Sequence, residues 1–518
     1  MKLLRIIGLI LFFSGLLLFS ILPLFKRTFY LTPCALEHVL SEQEKENLLA
    51  ELIPLTHIKH QQLFSFANKI IRTHQQKNAW LKKQKQWNKV MWGSSQEFAY
   101  KLLRVSAKHD SFKTRWSIFF IILVACPLGG LLYILSSDKK NQSNYYTFFL
   151  PITSVKWIAY ILTAWLLAFY ILLYWFPAYI INWVVLVDPI SKFLSGNEAG
   201  PWFLYGFLYS VVMCVMGIKM FLKYKNNAYQ IIRTISVLFF QLAFAFLIPE
   251  ILVRLNKPYM DLKNIWPLDY DFFFEWNILA LIENGKLGIF MLLWGILLVI
   301  IAVPVFTYFF GKRWYCSWVC GCGGLAETLG DPFRHLSNKS IKAWKMERWI
   351  IYPTFLFSII MTVLTLYTFF SKQSELLGLN TYEIQRVYGF LIGSVFAGVI
   401  GTGLYPVFGN RVWCRFGCPL AAYMGIIQRF KSRFRITANG SQCISCGNCS
   451  TYCEMGIDVR WYAQRGQSIV RASCVGCGIC ANVCPRGVLK LENSDEHTRY
   501  NKNPFIIQKQ EAHFVKHT

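Results

Sequence analysis

The sequence predicts a polytopic α-helical membrane protein with a smaller α+β domain at its carboxyl end, and three observations carry that expectation. Of 518 residues, 55% are hydrophobic and 17% aromatic while only 16% are charged, which is too apolar for a soluble multidomain chain. Apolar runs close to or above the roughly 20 residues that cross a bilayer recur through most of the chain. After residue 410 those runs stop, and Gly, Cys, Asn and Arg take over.

The runs fall at about 5–25, 116–136, 155–176, 202–222, 234–253, 288–310, 349–370 and 388–408, giving about eight transmembrane helices. The first starts MKLLR, as a signal peptide would. Its apolar stretch outlasts a typical h-region and PLFKRTFY follows in place of a small-residue cleavage site, so residues 1–27 read as an uncleaved anchor. Residues 28–115 form a polar, external segment of unknown role, in which SEQEKENLLAELI and QQLFSFANKIIRTHQQ have helical spacing. The transmembrane helical domain then runs over 116–409, a cysteine-rich domain over 410–490, and a polar tail over 491–518.

The formal charge is +27, from 54 Lys+Arg against 27 Asp+Glu. The basic residues sit beside apolar spans, which suits anionic lipid headgroups and argues against nucleic acid as a partner. Lys223, Lys225 and Arg233 flank one connection; Lys312, Arg313, Arg334, Lys339, Lys342, Lys345 and Arg348 crowd another. Both are expected on the cytoplasmic side, with 188–200, 254–287 and 371–387 facing outward. Everything after 410 then lies inside, at a bacterial inner membrane crossed several times.

Thirteen of the sixteen cysteines lie between Cys316 and Cys484 in short-spaced groups, a pattern of metal binding in a reducing compartment; Cys34, Cys126 and Cys214 are scattered. Cys443, Cys446, Cys449 and Cys453 form a C-x2-C-x2-C-x3-C run, and Cys474, Cys477, Cys480 and Cys484 form a second, closed by Pro485. This is the run of a bacterial two-cluster ferredoxin, in which the fourth cysteine ligates the other cluster. One [4Fe-4S] cluster is therefore assigned to Cys443, Cys446, Cys449 and Cys484, the other to Cys474, Cys477, Cys480 and Cys453. Gly447, Gly476 and Gly478 let the backbone approach the inorganic sulfur. Structural zinc would need only four thiolates in looser pairs. Glu454 stands where a proline would end the first run.

A second constellation follows two spans: Cys316, Cys320 and Cys322 after the sixth, Cys414 and Cys418-Pro419 after the eighth. A C-x3-C spacing at a helix start would put both thiols on one helical face, near dipole ends that lower thiol pKa. Four thiols from two spans could hold a further metal or cluster, with Cys322 as a spare ligand; buried, inert cysteine is the alternative.

Paired membrane C-x3-C(P) motifs followed by a two-cluster ferredoxin domain resemble the membrane polyferredoxins that include NapH of nitrate respiration, NosR of nitrous oxide respiration and the cbb3 oxidase assembly factor CcoG. The resemblance covers about 234–490; the C-x3-C-P element is complete at Cys414, Cys418 and Pro419, while Gly321 and Cys322 replace the proline of the first copy. It implies electron transfer between the quinone pool, or a cytoplasmic donor, and a redox partner. The covalent-flavin motif of NosR-like members is absent, and only 34 residues follow Cys484, too few for the extra domain of CcoG-like members. The layout agrees best with NapH-like members.

None of the nine histidines falls within an expected span and no C-x-x-C-H occurs, so haem is not expected; nor is a nucleotide cofactor, since neither a Walker loop nor a G-x-G-x-x-G appears. Glu250, at the outer end of the fifth span, is a candidate proton acceptor for quinol, against a local pair with Arg254. Glu327 and Asp331, four residues apart, could collect protons beside a cluster or form a solvated face. The function expected is electron transfer, with a quinol-dehydrogenase-type component as the enzyme class it would fit. The rivals are an assembly factor that reduces copper or thiols for a terminal oxidase or reductase, and a membrane redox sensor.

Overall fold

In hydrocarbon a segment must pair its backbone N–H and C=O groups internally, so an apolar run of this length has the helix as its stable form. The computed structural model describes residues 2–493 apart from 23–28, 57–61, 87–88, 92, 108–112, 139–155, 374 and 377. Of the tail expected over 491–518, residues 494–518 lie outside the described residues.

Among the described residues six helices are long and apolar enough to cross a membrane: Leu3–Ile21, Pro201–Lys223, Ala228–Arg254, Gly285–Phe310, Ile341–Ser371 and Thr381–Gly403. A seventh span arises only if Ala159–Trp175 and Pro177–Leu186, bent by 110°, count as one. Pro177 explains the break, because it has no N–H to continue the ladder. The run expected over 116–136 lies in the 26-residue helix Lys113–Asp138. Among the described residues six helices, or seven with the bent pair, thus meet the length and composition of a span, against about eight expected from the sequence.

The chain forms two compact units. In the first, which includes residues 1–140, the helix Lys2–Ile21 packs along Lys113–Asp138. The backbones approach so closely that a Cβ on Gly129 would stand 2.5 Å from the Phe12 nitrogen, the small-residue contact of membrane helices. The polar stretch after it folds into the helices Pro33–Val39, Glu42–Thr56, Leu63–Lys83 and Ser95–Ser106. Their apolar faces meet in a core that includes Leu48, Leu52, Phe66, Ile70 and Leu102. Ser41 and Glu44 form a reciprocal cap at the second helix: the Ser41 N–H donates to Glu44 at 2.8 Å and the Glu44 N–H to the Ser41 hydroxyl at 3.3 Å.

The second unit contains the later spans together with the whole cysteine-rich region. Strands Phe434–Ala438 and Leu489–Asn493 pair antiparallel, with Phe434 opposite Asn493 and Ala438 opposite Leu489. Everything between them is cysteine loops and short helices. Residues 256–274, within a stretch expected to face outward, pack against residues of the spans. The Trp266 indole donates to Thr362 Oγ1 at 2.9 Å, and Tyr270 packs on Tyr388. A Cβ on Gly295 would fall 2.2 Å from the Phe272 ring, and one on Gly393 2.9 Å from Tyr270. Gly295, Thr362 and Gly393 all lie within the spans. The acids of IWPLDYDFFFEW suggest an exterior loop, but its aromatic and aliphatic side chains give it enough apolar surface to bury.

Candidate metal centres

Three cavities gather the cysteines. The first is lined by Cys443, Cys446, Cys449 and Cys484; the second by Cys453, Cys474, Cys477 and Cys480. Each thus takes three thiols from one run and the fourth from the other. Left-handed glycines make the loops tight enough to do this. Gly447 (φ 82°) and Gly478 (φ 76°) open the short helices Asn448–Thr451 and Ile479–Asn482, and a Cβ on Gly478 would crowd Tyr229 at 3.0 Å. The Ile457 amide lies 3.4 Å from Cys453 Sγ, as a donor to a sulfur ligand would.

The third cavity is lined by Cys316, Cys320, Cys322, Cys414 and Cys418, with Leu268 of the loop 256–274, Tyr315 and Trp413. The two C-x3-C pairs do not lie on single helical faces. Cys316 ends the helical turn Arg313–Cys316 and Cys320 caps the next helix, Gly321–Thr328; likewise Cys414 sits in the wide turn Trp413–Gly417 and Cys418 caps Pro419–Phe430. The chain breaks between each pair because the second cysteine adopts an extended conformation (ψ 134° and 111°), with Pro419 at the first helical position after Cys418. Cys320 and Cys418 therefore stand at helix N-termini, where the dipole favours anionic sulfur. The Ala421 amide donates to Cys418 Sγ at 3.4 Å and the Arg411 guanidinium to Cys414 Sγ at 3.7 Å. The Tyr315 hydroxyl donates to the Lys263 carbonyl at 3.0 Å, and with Leu268 in the lining the loop 256–274 forms part of the cavity wall.

The donor sets suit iron–sulfur clusters. Burial pushes Cys474 up to about 11, and Cys449 and Cys316 up to about 12, so bare thiols there keep their protons and metal binding must expel them. Cys320 is the exception, held below the ordinary thiol range by the hydrogen bond from Cys322, against burial.

The 4Fe-4S binding domain model matches residues 292–340 and 390–437, one copy around each C-x3-C pair, and the 4Fe-4S dicluster domain model matches 442–489. This is a membrane protein with 4Fe-4S ferredoxin domains. YccM of Escherichia coli (strain K12), whose name ascribes it to electron transport, is 29% identical over 29% of this chain and 43% of its own. The methylamine utilization ferredoxin-type protein MauN of Methylobacillus flagellatus is 26% identical over 30% of this chain and 52% of its own. Protein NirI of Paracoccus denitrificans is 25% identical over 34% and 26%. The chain spans about half or less of the length of these relatives. No solved structure matches it.

Between the second and third cavities lies a buried ion network. Glu327 accepts from Arg233 at 2.8 Å, from Arg411 at 2.7 Å and from Arg334. Glu454 accepts from Arg334 and, at 3.2 Å, from Asn410, and it pairs with Arg411 at 3.0 Å. Asp331 pairs with Lys219, Lys223 and Arg334. Among the described residues the network therefore sets five basic side chains against three carboxylates, a surplus of basic groups with almost no solvent contact. Such a surplus is costly in isolation. It is offset where neighbouring clusters, each held by four thiolates, carry net negative charge. The network touches both cavities: carboxylate oxygens of Glu327 and Glu454 lie within 4.8 Å of Cys477 Sγ, while Arg411 reaches Cys414 Sγ and the Cys316 carbonyl.

Two expectations change here. Glu327 and Asp331 are neither a solvated face nor proton collectors. Burial would raise both, but Arg233, Arg334 and Arg411 outweigh it at Glu327 and Lys223, Lys219 and Arg334 at Asp331, holding each well below the carboxylate range and ionised. Likewise Lys223, Arg233, Lys312 and Arg334, counted above toward membrane orientation, are buried within the protein. Glu250 is half-buried in Ile248–Arg254 and lines none of the three cavities. The residues missed from sequence are Glu454, Arg411, Asn410 and Lys219. A lysine in the last turns of a span and an acid in a proline's place were the available signals.

Proposed function

We propose that the chain passes single electrons through three iron–sulfur sites, from the solvent edge of the ferredoxin region into the helical region, between a redox partner and the quinone pool of a bacterial inner membrane with the ferredoxin region cytoplasmic. The first site would be held by Cys443, Cys446, Cys449 and Cys484, the second by Cys474, Cys477, Cys480 and Cys453, and the third by Cys316, Cys320, Cys414 and Cys418, with Cys322 as a fifth thiol. When bound, each cluster would accept and return one electron.

The observation that carries this reading is that thiols distant in sequence converge in three successive cavities fastened to one another. The second cavity's cysteine loop is clamped by residues flanking the third. Ser317, next to Cys316, donates to the Val475 carbonyl at 2.8 Å; Gln428 donates to the Cys474 carbonyl at 2.8 Å and accepts the Lys312 N–H at 2.6 Å. Gln230 and Arg233 both donate to the Cys477 carbonyl at 2.9 Å. Those clamps fix the separation of the sites and exclude water between them, which keeps electron exchange from requiring domain motion. The buried cations lower the cost of placing an electron there.

Spectroelectrochemical titration of the anaerobically purified protein tests this: three one-electron waves are expected, with a single wave missing in Cys414→Ser. A titration that is identical in Cys414→Ser and the parent protein would refute the third site.

A further inference from the structure

We propose that the exposed rim of the first ferredoxin cavity is the docking surface for a small acidic one-electron carrier protein; this rests on the cluster assignment above. The three candidate sites differ sharply in access. The cysteines of the third cavity are buried or half-buried, as are those of the second, but in the first Cys446 is exposed, together with Ile444 and Ser445 beside it. An external partner reaches a ligating thiol only here.

The rim has one sign of charge. Arg460 and Arg486 line the cavity and no carboxylate does. The Arg460 guanidinium lies 3.9 Å from where a Cβ on Gly447 would stand, directly over the cysteine loop. One residue further on, Trp461 is 45% exposed with the Arg465 guanidinium 3.8 Å from its ring centroid, and Ile444 is 54% exposed. Asp458, two residues before Arg460, accepts the Ser450 hydroxyl at 2.6 Å and does not line the cavity. The loop is preorganised as well: Ser445 is left-handed (φ 58°) and its hydroxyl accepts from Gln464 at 2.7 Å. A small apolar centre ringed by arginines, over an exposed redox ligand, suits a brief encounter steered by charge rather than a large permanent interface. Its complement is acidic. In the encounter one electron leaves the reduced carrier and enters the site held by Cys443, Cys446, Cys449 and Cys484; no bond forms and no proton moves.

The test is stopped-flow reduction of the full chain, in neutral-lipid nanodiscs, by a pre-reduced small acidic ferredoxin and separately by dithionite. The second-order rate with the acidic carrier should fall at least tenfold on raising salt from about 50 to about 500 mM, and at least tenfold in R460E/R486E at low salt. The dithionite rate and iron content of that variant should stay at the parent level. A carrier rate indifferent to salt and to charge reversal, with full iron content, overturns the surface and leaves the clusters standing. So does loss of the carrier's advantage in anionic-lipid nanodiscs, which would make the rim a headgroup contact. Parent protein without a pair of cubanes would instead overturn the assignment beneath it.

Discussion

Glu454 offers a direct handle on the electrostatics of the second site. Replacing it with glutamine keeps the volume and an acceptor for Arg334 and Asn410 but removes one negative charge within 4.8 Å of Cys477 Sγ. At that distance a unit charge is worth about 3.5 kcal/mol with an effective dielectric near 20. An electron shared over a cubane sits farther away than the sulfur, so between about half and all of that should be felt, or roughly 70–150 mV at 59 mV per 1.4 kcal/mol. Removing an anion favours the reduced state, so the midpoint of this cluster should rise. EPR-monitored redox titration of Glu454→Gln against the parent protein reads the shift. A lowered or unmoved midpoint, at full iron and sulfide content, would refute the reasoning.

Arg411→Leu should destabilise the protein by about 3–5 kcal/mol, because Glu327 and Glu454 each lose a buried partner; thermal unfolding in detergent measures it. Gly295→Leu should unseat the loop 256–274, since its side chain would occupy the space of the Phe272 ring, and the expected result is a lowered melting temperature with loss of iron from the third site before the other two. Asp331 is held below its ordinary value of 3.8, so its contribution is present above about pH 4 and disappears as pH falls through the folded value. The stability difference between the parent and Asp331→Asn should therefore be constant from about pH 6 to 8 and narrow below about pH 4; a difference that grows on acidification would contradict the pairing with Lys219 and Lys223.

Legibility in the sequence followed the range of the interactions. The apolar runs and the amphipathic helices of the 28–115 segment were visible because they depend on local period and length alone. The cysteine runs were visible because loops that wrap a cluster impose fixed spacing. What escaped depended on contacts distant in the chain. The network of Glu327, Asp331 and Glu454 joins residues from 219 to 454, and in sequence its cations look like positive-inside signals. The loop 256–274 reads as exterior from Asp261, Asp269 and Asp271, and only the fold reveals its packing on Gly295, Thr362 and Gly393. The C-x3-C pairs misled on geometry, since an unbroken helix was assumed where Cys320 and Cys418 each begin a new one.

Metal and sulfide analysis of anaerobically purified full-length protein bears most directly on the three-site electron path. About twelve iron and twelve acid-labile sulfide per chain, with negligible zinc, is the predicted result. Stoichiometric zinc, or iron no higher than about eight, would contradict it.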